Sequence, residues 1–250
     1  MTTFKNLVRV AALLALTGAA QAQFSSTVTA ATEYDFRGIS LSANDPVLQA
    51  SIDYAFGNGF AIGAWASNLD YGPAYDGKTE LDFYGGYTGT INDKASWTVG
   101  AVLYDYPGSD ELLATPQRPV AKLQIEPYPE YYLGGTFGPV SLKQWYSNDF
   151  GASSVAGLYT EANYTQALPA NWTLSVHAGY SYGEYWEDDG PGGGELFDYS
   201  IGLSYVWDRF TLGAKLTATD ADGDRQISND YFANNPRIVG WISTTLPWSK

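Results

Sequence analysis

From residue 28 onward the chain is built from runs in which apolar and polar residues alternate. Between positions 28 and 36, Val28, Ala30, Thr32, Tyr34 and Phe36 alternate with Thr29, Ala31, Glu33 and Asp35, and Arg37 follows in the polar phase. A period of two puts successive side chains on opposite faces of a β-strand, one face compatible with lipid and one charged. The rhythm returns over 48–56, 60–69, 80–88, 97–103, 130–137, 140–147, 158–165, 172–182, 197–207, 210–218 and from 237 to the C-terminus. Each run stops at Gly, Asn, Asp or Pro, and no helical periodicity intervenes. In 60–69 small residues fill both faces, so its phase stays open. A globular sheet also buries one face. Recurrence to the end of the chain points instead to an all-β protein, an antiparallel transmembrane β-barrel of about 12 strands, apolar outside and polar inside.

The connections support this reading. Long polar stretches alternate with turns such as Gly57-Asn58-Gly59, Asn92-Asp93, Gly138-Pro139, Pro169-Ala170-Asn171 and Asp208-Arg209. In a bacterial barrel with both termini in the periplasm, the short turns are periplasmic and the long loops extracellular. Phe56, Phe60, Trp97, Phe137, Tyr164, Trp172, Trp207, Phe210 and Trp248 fall beside short turns, whereas Tyr34, Phe36, Tyr146, Tyr182 and Phe197 fall beside long loops. Two aromatic girdles suit the two interfaces of a membrane. The segments 38–46, 148–154 and 220–235 read as loops. So does 107–129, rich in proline, where Ala121, Leu123 and Ile125 allow a short extended excursion; the sequence leaves open whether it folds into the bore. Residues 186–196, with Gly192-Gly193-Gly194 and four carboxylates, read as a flexible acidic loop.

At the N-terminus, Lys5 and Arg9 precede a short apolar run, and Ala20-Gln21-Ala22 offers a small-residue cleavage site. Residues 1–22 are therefore expected to be a signal peptide and 23–250 the barrel. The formal charge is −14. Without Lys5 and Arg9, 11 basic residues face 27 acidic ones, giving −16, which repels nucleic acid and favours cations. With 20 Tyr, 8 Trp and 11 Phe, the chain is rich in residues that anchor at a lipid interface. It has no Cys, which excludes disulfides and thiolate chemistry.

Tyr34-Asp35-Phe36-Arg37-Gly38-Ile39-Ser40 followed by Asn44-Asp45-Pro46, and Gly63-Ala64-Trp65-Ala66-Ser67-Asn68, resemble the TorF family of outer-membrane porins. Leu103-Tyr104-Asp105-Tyr106-Pro107-Gly108 and Gly138-Pro139-Val140-Ser141-Leu142-Lys143 are similar to its middle segments. The resemblance covers essentially the whole mature chain and implies export, an outer-membrane barrel and a pore. Family members commonly end on an aromatic residue; this chain ends Leu246-Pro247-Trp248-Ser249-Lys250, with Trp248 nearest that role.

Inward positions carry Glu33, Asp35, Asp53, Glu80, Asp82, Glu130, Glu161 and Asp198 against Arg37, Lys143, Lys215 and Arg237. Opposed charges across a water-filled lumen order ions and polar solutes, and the acidic excess favours cations. The same charges also suit a plug of salt bridges in a closed interior, since 12 strands lie between the packed and open regimes. Glu33, Asp35, Arg37, Glu80 and Asp82 are expected near the narrowest part. His177, the single histidine, faces inward; Ser/His catalysis would have to use it, but no lipase, deacylase or protease pattern surrounds it. Asp220-Ala221-Asp222-Gly223-Asp224 spaces carboxylates like a calcium loop, but Arg225 and Tyr231 replace the glycine and closing glutamate, so a solvated loop is the simpler reading.

The expectation is an outer-membrane porin without cofactor, metal or chemical step, passing small polar, chiefly cationic, solutes or ions. Its partners would be outer-membrane lipid and, during biogenesis, periplasmic chaperones and the barrel-assembly machinery; the sequence leaves the oligomeric state open. The rival readings are a non-conducting barrel whose acidic loops bind a partner, surface polysaccharide or divalent ions, and an envelope hydrolase built on His177.

Overall fold

The computed structural model describes residues 23–109, 124–227 and 231–248. Its strands are β1 (Gln23–Ala31), β2 (Asp35–Phe36), β3 (Ile39–Ser40), β4 (Val47–Ala55), β5 (Phe60–Asn68), β6 (Thr79–Asn92), β7 (Ala95–Asp105), β8 (Tyr128–Phe137), β9 (Val140–Ser147), β10 (Gly157–Ala167), β11 (Trp172–Tyr182), β12 (Leu196–Trp207), β13 (Phe210–Thr219) and β14 (Arg237–Leu246). Twelve of them form one closed antiparallel barrel in chain order, and β2 and β3 form a separate two-stranded hairpin. β1 closes the ring against β14, with Ser26 opposite Leu246 and Ala31 opposite Trp241. Closure pairs both edges of each of the twelve barrel strands, which a bilayer requires.

The outer surface follows the sequence pattern. Leu48, Ile62, Leu133, Leu142, Ile201 and Ile238 are all exposed on the barrel wall. Trp97, Phe137, Trp172, Trp207 and Trp248 are exposed beside the short turns, and Tyr146 and Phe197 beside the long loops. The open phase of 60–69 is settled: Phe60 and Ile62 are exposed while Ser67 is buried.

The first run is where expectation and structure part. A continuous strand over 28–36 is not formed. The barrel strand occupies Gln23–Ala31, and the chain then leaves the wall, with Thr32 N–H bonded to Gly240 O at 2.9 Å and Gly240 N–H to Thr32 Oγ1 at 3.0 Å. Residues 33–42 turn inward as the β2–β3 hairpin, so the expected polar loop 38–46 is partly a strand. Tyr34 is 7% exposed and belongs to the interior, not to the aromatic girdle; Phe36 packs edge-on against it. The alternation continues because a hairpin also has two faces, and here both meet protein.

The other long connections converge on the same place. One buried residue from each of the six packs into a common cluster: Tyr34, Leu69, Tyr106, Phe150, Trp186 and Ala221. Trp186 therefore anchors the acidic connection 186–196, expected as a flexible loop; its four carboxylates, Glu187, Asp188, Asp189 and Glu195, are exposed. The sixth run begins earlier than expected, at Tyr128, and most of the 107–129 segment, with its excursion at 121–123, lies outside the described residues, as does the expected leader.

Candidate functional site

The charged side chains of the interior form a layer beneath this aromatic cap, and the first outer connection (residues 32–46) crosses it. On one side the hairpin is fixed to β13 and β14. Arg237 donates to Glu33 Oε1 at 2.7 Å, to Gly38 O at 2.9 Å and to the Asp35 carboxylate. Lys215 Nζ donates to Asp35 Oδ2 at 2.6 Å. Ser40 N–H also bonds Ala233 O at 2.8 Å, tying the hairpin to the last connection.

On the far side the hairpin tip reaches β8. Arg37 Nη2 lies 2.7 Å from Glu130 Oε2, which also accepts the Tyr104 hydroxyl at 2.9 Å. Burial works against the guanidinium's charge, but the Glu130 carboxylate outweighs it and raises the group above its ordinary value. β13/β14 and β8 lie nearly opposite in the ring, so the hairpin spans the bore. Its turn demands special backbone: Arg37 and Gly38 have φ of 51° and 79°. A Cβ on Gly38 would fall 2.6 Å from Thr219 Cγ2 and 2.7 Å from Asp198 Cβ, so glycine is required by both conformation and contact.

Two further groups complete the layer. Tyr34 donates its hydroxyl to Glu80 Oε1 at 3.1 Å; burial pushes that phenol up, keeping it a neutral donor. Asp82 lies on the same face of β6 and is also buried. Around His177, Nε2 lies 2.8 Å from Asp198 Oδ1 and Nδ1 2.7 Å from Asn163 Oδ1. Asn163 and Trp145 in turn donate to Glu161, each at 2.9 Å, and Tyr159 donates to Asp198 at 3.1 Å. His177 thus has a carboxylate neighbour, but no serine bonds it among the described residues. Asp53 stands apart on the short-turn side, accepting from Tyr84 at 2.6 Å and Ser51 at 2.8 Å.

All thirteen expected lining residues point inward or into the hairpin's contacts. Glu33, Asp35 and Arg37 are brought there by the hairpin rather than by a barrel strand, which corrects their expected placement. Reading by residue type missed the aromatic partners. Tyr104 and Tyr159 sit at inward positions of the alternation, a usable signal; Phe150 sits in a loop and gave none. In the candidate calcium loop, Asp222 pairs with Arg225 at 3.5 Å and Asp220 accepts Phe197 N–H at 2.9 Å.

A closed twelve-stranded barrel with an apolar outer wall and a charged interior is the architecture of bacterial outer-membrane porins. The chain belongs to a bacterial family described as a protein of unknown function (Gcw_chp), whose model matches residues 15–245. Among solved structures it is similar to the KdgM porin, at 13% identity and a TM-score of 0.54, covering 88% of this chain and 98% of that one. It is also similar to the NanC porin, at 8% identity and a TM-score of 0.55, with the same coverages. A KdgM porin in complex with disordered oligogalacturonate matches at 12% identity and a TM-score of 0.53, covering 89% and 98%. A comparison with curated proteins found no match.

Proposed function

We propose that the protein is an outer-membrane porin that gives small polar solutes, chiefly cations, a passive pathway, and that the β2–β3 hairpin closes its extracellular mouth in the conformation seen. Residues 1–22 would be removed on export, the long loops would face outward and the short turns the periplasm.

One observation carries the reading: a single layer of charge crosses the barrel interior where the hairpin spans it. There Glu33, Asp35, Glu80, Asp82, Glu130, Glu161 and Asp198 outnumber Arg37, Lys143, Lys215 and Arg237. An excess of fixed negative charge favours cation passage. It also opposes a polyanion, so the oligogalacturonate of the KdgM complex supports passage of a solute without suggesting that one here. Lys143, Glu161 and His177 keep 21%, 16% and 22% of their side-chain surface exposed and would line the open part with Asp53. The resemblance of 34–40 to TorF porins points the same way.

Planar-bilayer recordings on the purified barrel test this. Cation-selective channels are expected, and reversing Asp35 and Asp82 to lysine should shift selectivity toward anions. Absence of channels, or unchanged selectivity in the double variant, contradicts the proposal. A second reading, a non-conducting barrel whose acidic loops bind a partner or divalent ions, is favoured by the buried aromatic cluster at the long-loop mouth. It predicts that shortening 187–195 abolishes function while the interior tolerates substitution.

A further inference from the structure

Arg37 occupies an unusual position. It is the first central residue of a two-residue turn in which both residues have positive φ, a place usually taken by Asn or Asp before Gly. What a long side chain offers in that conformation is its reach. Its guanidinium carbon lies 4.2 Å from the Tyr159 ring centre, 5.5 Å from Phe150 and 5.8 Å from Trp145, with Phe36 of the hairpin at 4.7 Å. Glu130, 0% exposed, forms the base of this cup. The pair is incomplete: Arg37 Nη1 and Glu130 Oε1 are both buried without a hydrogen-bond partner among the described residues. A planar fork facing a carboxylate ordinarily makes two bonds.

Apart from Phe36, every group of the cup belongs to the barrel wall or the fourth long connection. Tyr104, Glu130, Trp145 and Tyr159 come from β7 to β10, and Phe150 from the connection after β9. With the hairpin withdrawn, the wall would keep a carboxylate beneath three aromatic rings. That combination suits a flat, weakly hydrated cation able to stack and to present two donors. A compact ion such as potassium gains less from the rings and has no donors for Glu130. Lys143 also lies over Trp145, at 4.7 Å, but is offset by Glu161 at 4.0 Å.

We propose that this wall is a binding site for solutes bearing a guanidinium group, and that Arg37 is its tethered competitor. An arriving solute replaces Arg37 on Glu130 and releases the hairpin tip from β8, so ligand entry and opening are one exchange. The inference rests on the porin reading and names the solute class for it.

Isothermal titration of the full chain in detergent with methylguanidinium, at fixed ionic strength, tests the exchange. If Arg37 fills the cup nine-tenths of the time, the Arg37→Ala variant binds about tenfold tighter than the parent, because the competent fraction rises accordingly. Adding Glu130→Gln removes the gain. Should Arg37→Ala fail to give the heat-modifiable gel shift of a folded barrel, replacing 32–46 by Asn-Gly frees the same cup. Binding no tighter than the parent, or no better than potassium in a competition, overturns the proposal. Conductance recorded on the same preparations separates the two readings. Cation channels without methylguanidinium binding refute this inference and spare the porin, whereas tight binding without channels refutes the porin and, with it, the coupling of binding to opening, leaving only the guanidinium site.

Discussion

The two ends of the barrel interior are made differently. Toward the long loops, Glu80, Glu130 and Asp198 are buried to 2% exposure or less, locked to hairpin or aromatic partners. Toward the short turns, Asp53 is half-buried and bonded to hydroxyls, and pairs such as Thr27 with Thr245 line the wall. The barrel strands run through both ends unchanged. The difference comes from one inserted hairpin and the loops packed above it, so on the porin reading proposed above it is the connection 32–46, rather than strand number, that would decide whether the barrel conducts.

Removing a carboxylate's charge at each end should separate the two most strongly. Glu130→Gln leaves the Arg37 guanidinium buried and unpaired, which costs about 3–5 kcal/mol, read as a lower urea midpoint of the folded-barrel gel shift. The paired change Arg37→Met with Glu130→Met should recover most of that loss, since removing both partners leaves no orphaned charge. Gly38→Ala sets a Cβ against Thr219 and Asp198 at positive φ. It should lower stability by about 1–3 kcal/mol by the same measurement. At the other end, Asp53→Asn keeps an acceptor for Tyr84 and stays near water, and should cost about 1 kcal/mol or less. Equal losses for Glu130→Gln and Asp53→Asn would mean the two ends do not differ.

Much of this was legible in the alternation, because lipid on one side and protein or water on the other impose a period of two on every barrel strand. The turns and outward residues followed from it, down to Trp97 and Phe137 at their girdle. The inward charges were legible as a set, but not their pairings: Arg37 meets Glu130 across 93 residues, and Arg237 meets Glu33 across 204. The hairpin was hidden because it carries the same alternation as the strand before it. Its one local sign is Arg37-Gly38, a turn pair that in the sequence reads only as the end of a strand and the start of a polar loop. Phe150 and Trp186 were hidden because a loop has no period to say which residues turn inward.

Ala31 and Val47 are register partners across β1 and β4, so replacing 32–46 by Asn-Gly joins the strands through an ordinary tight turn and removes the hairpin alone. Single-channel conductance of this variant beside the parent tests the central claim most directly. The account predicts a parent that is closed with brief openings and a variant that is steadily open, with conductance larger by about an order of magnitude because the charged constriction is gone. Identical conductance in the two proteins, or a variant as silent as its parent, would contradict it.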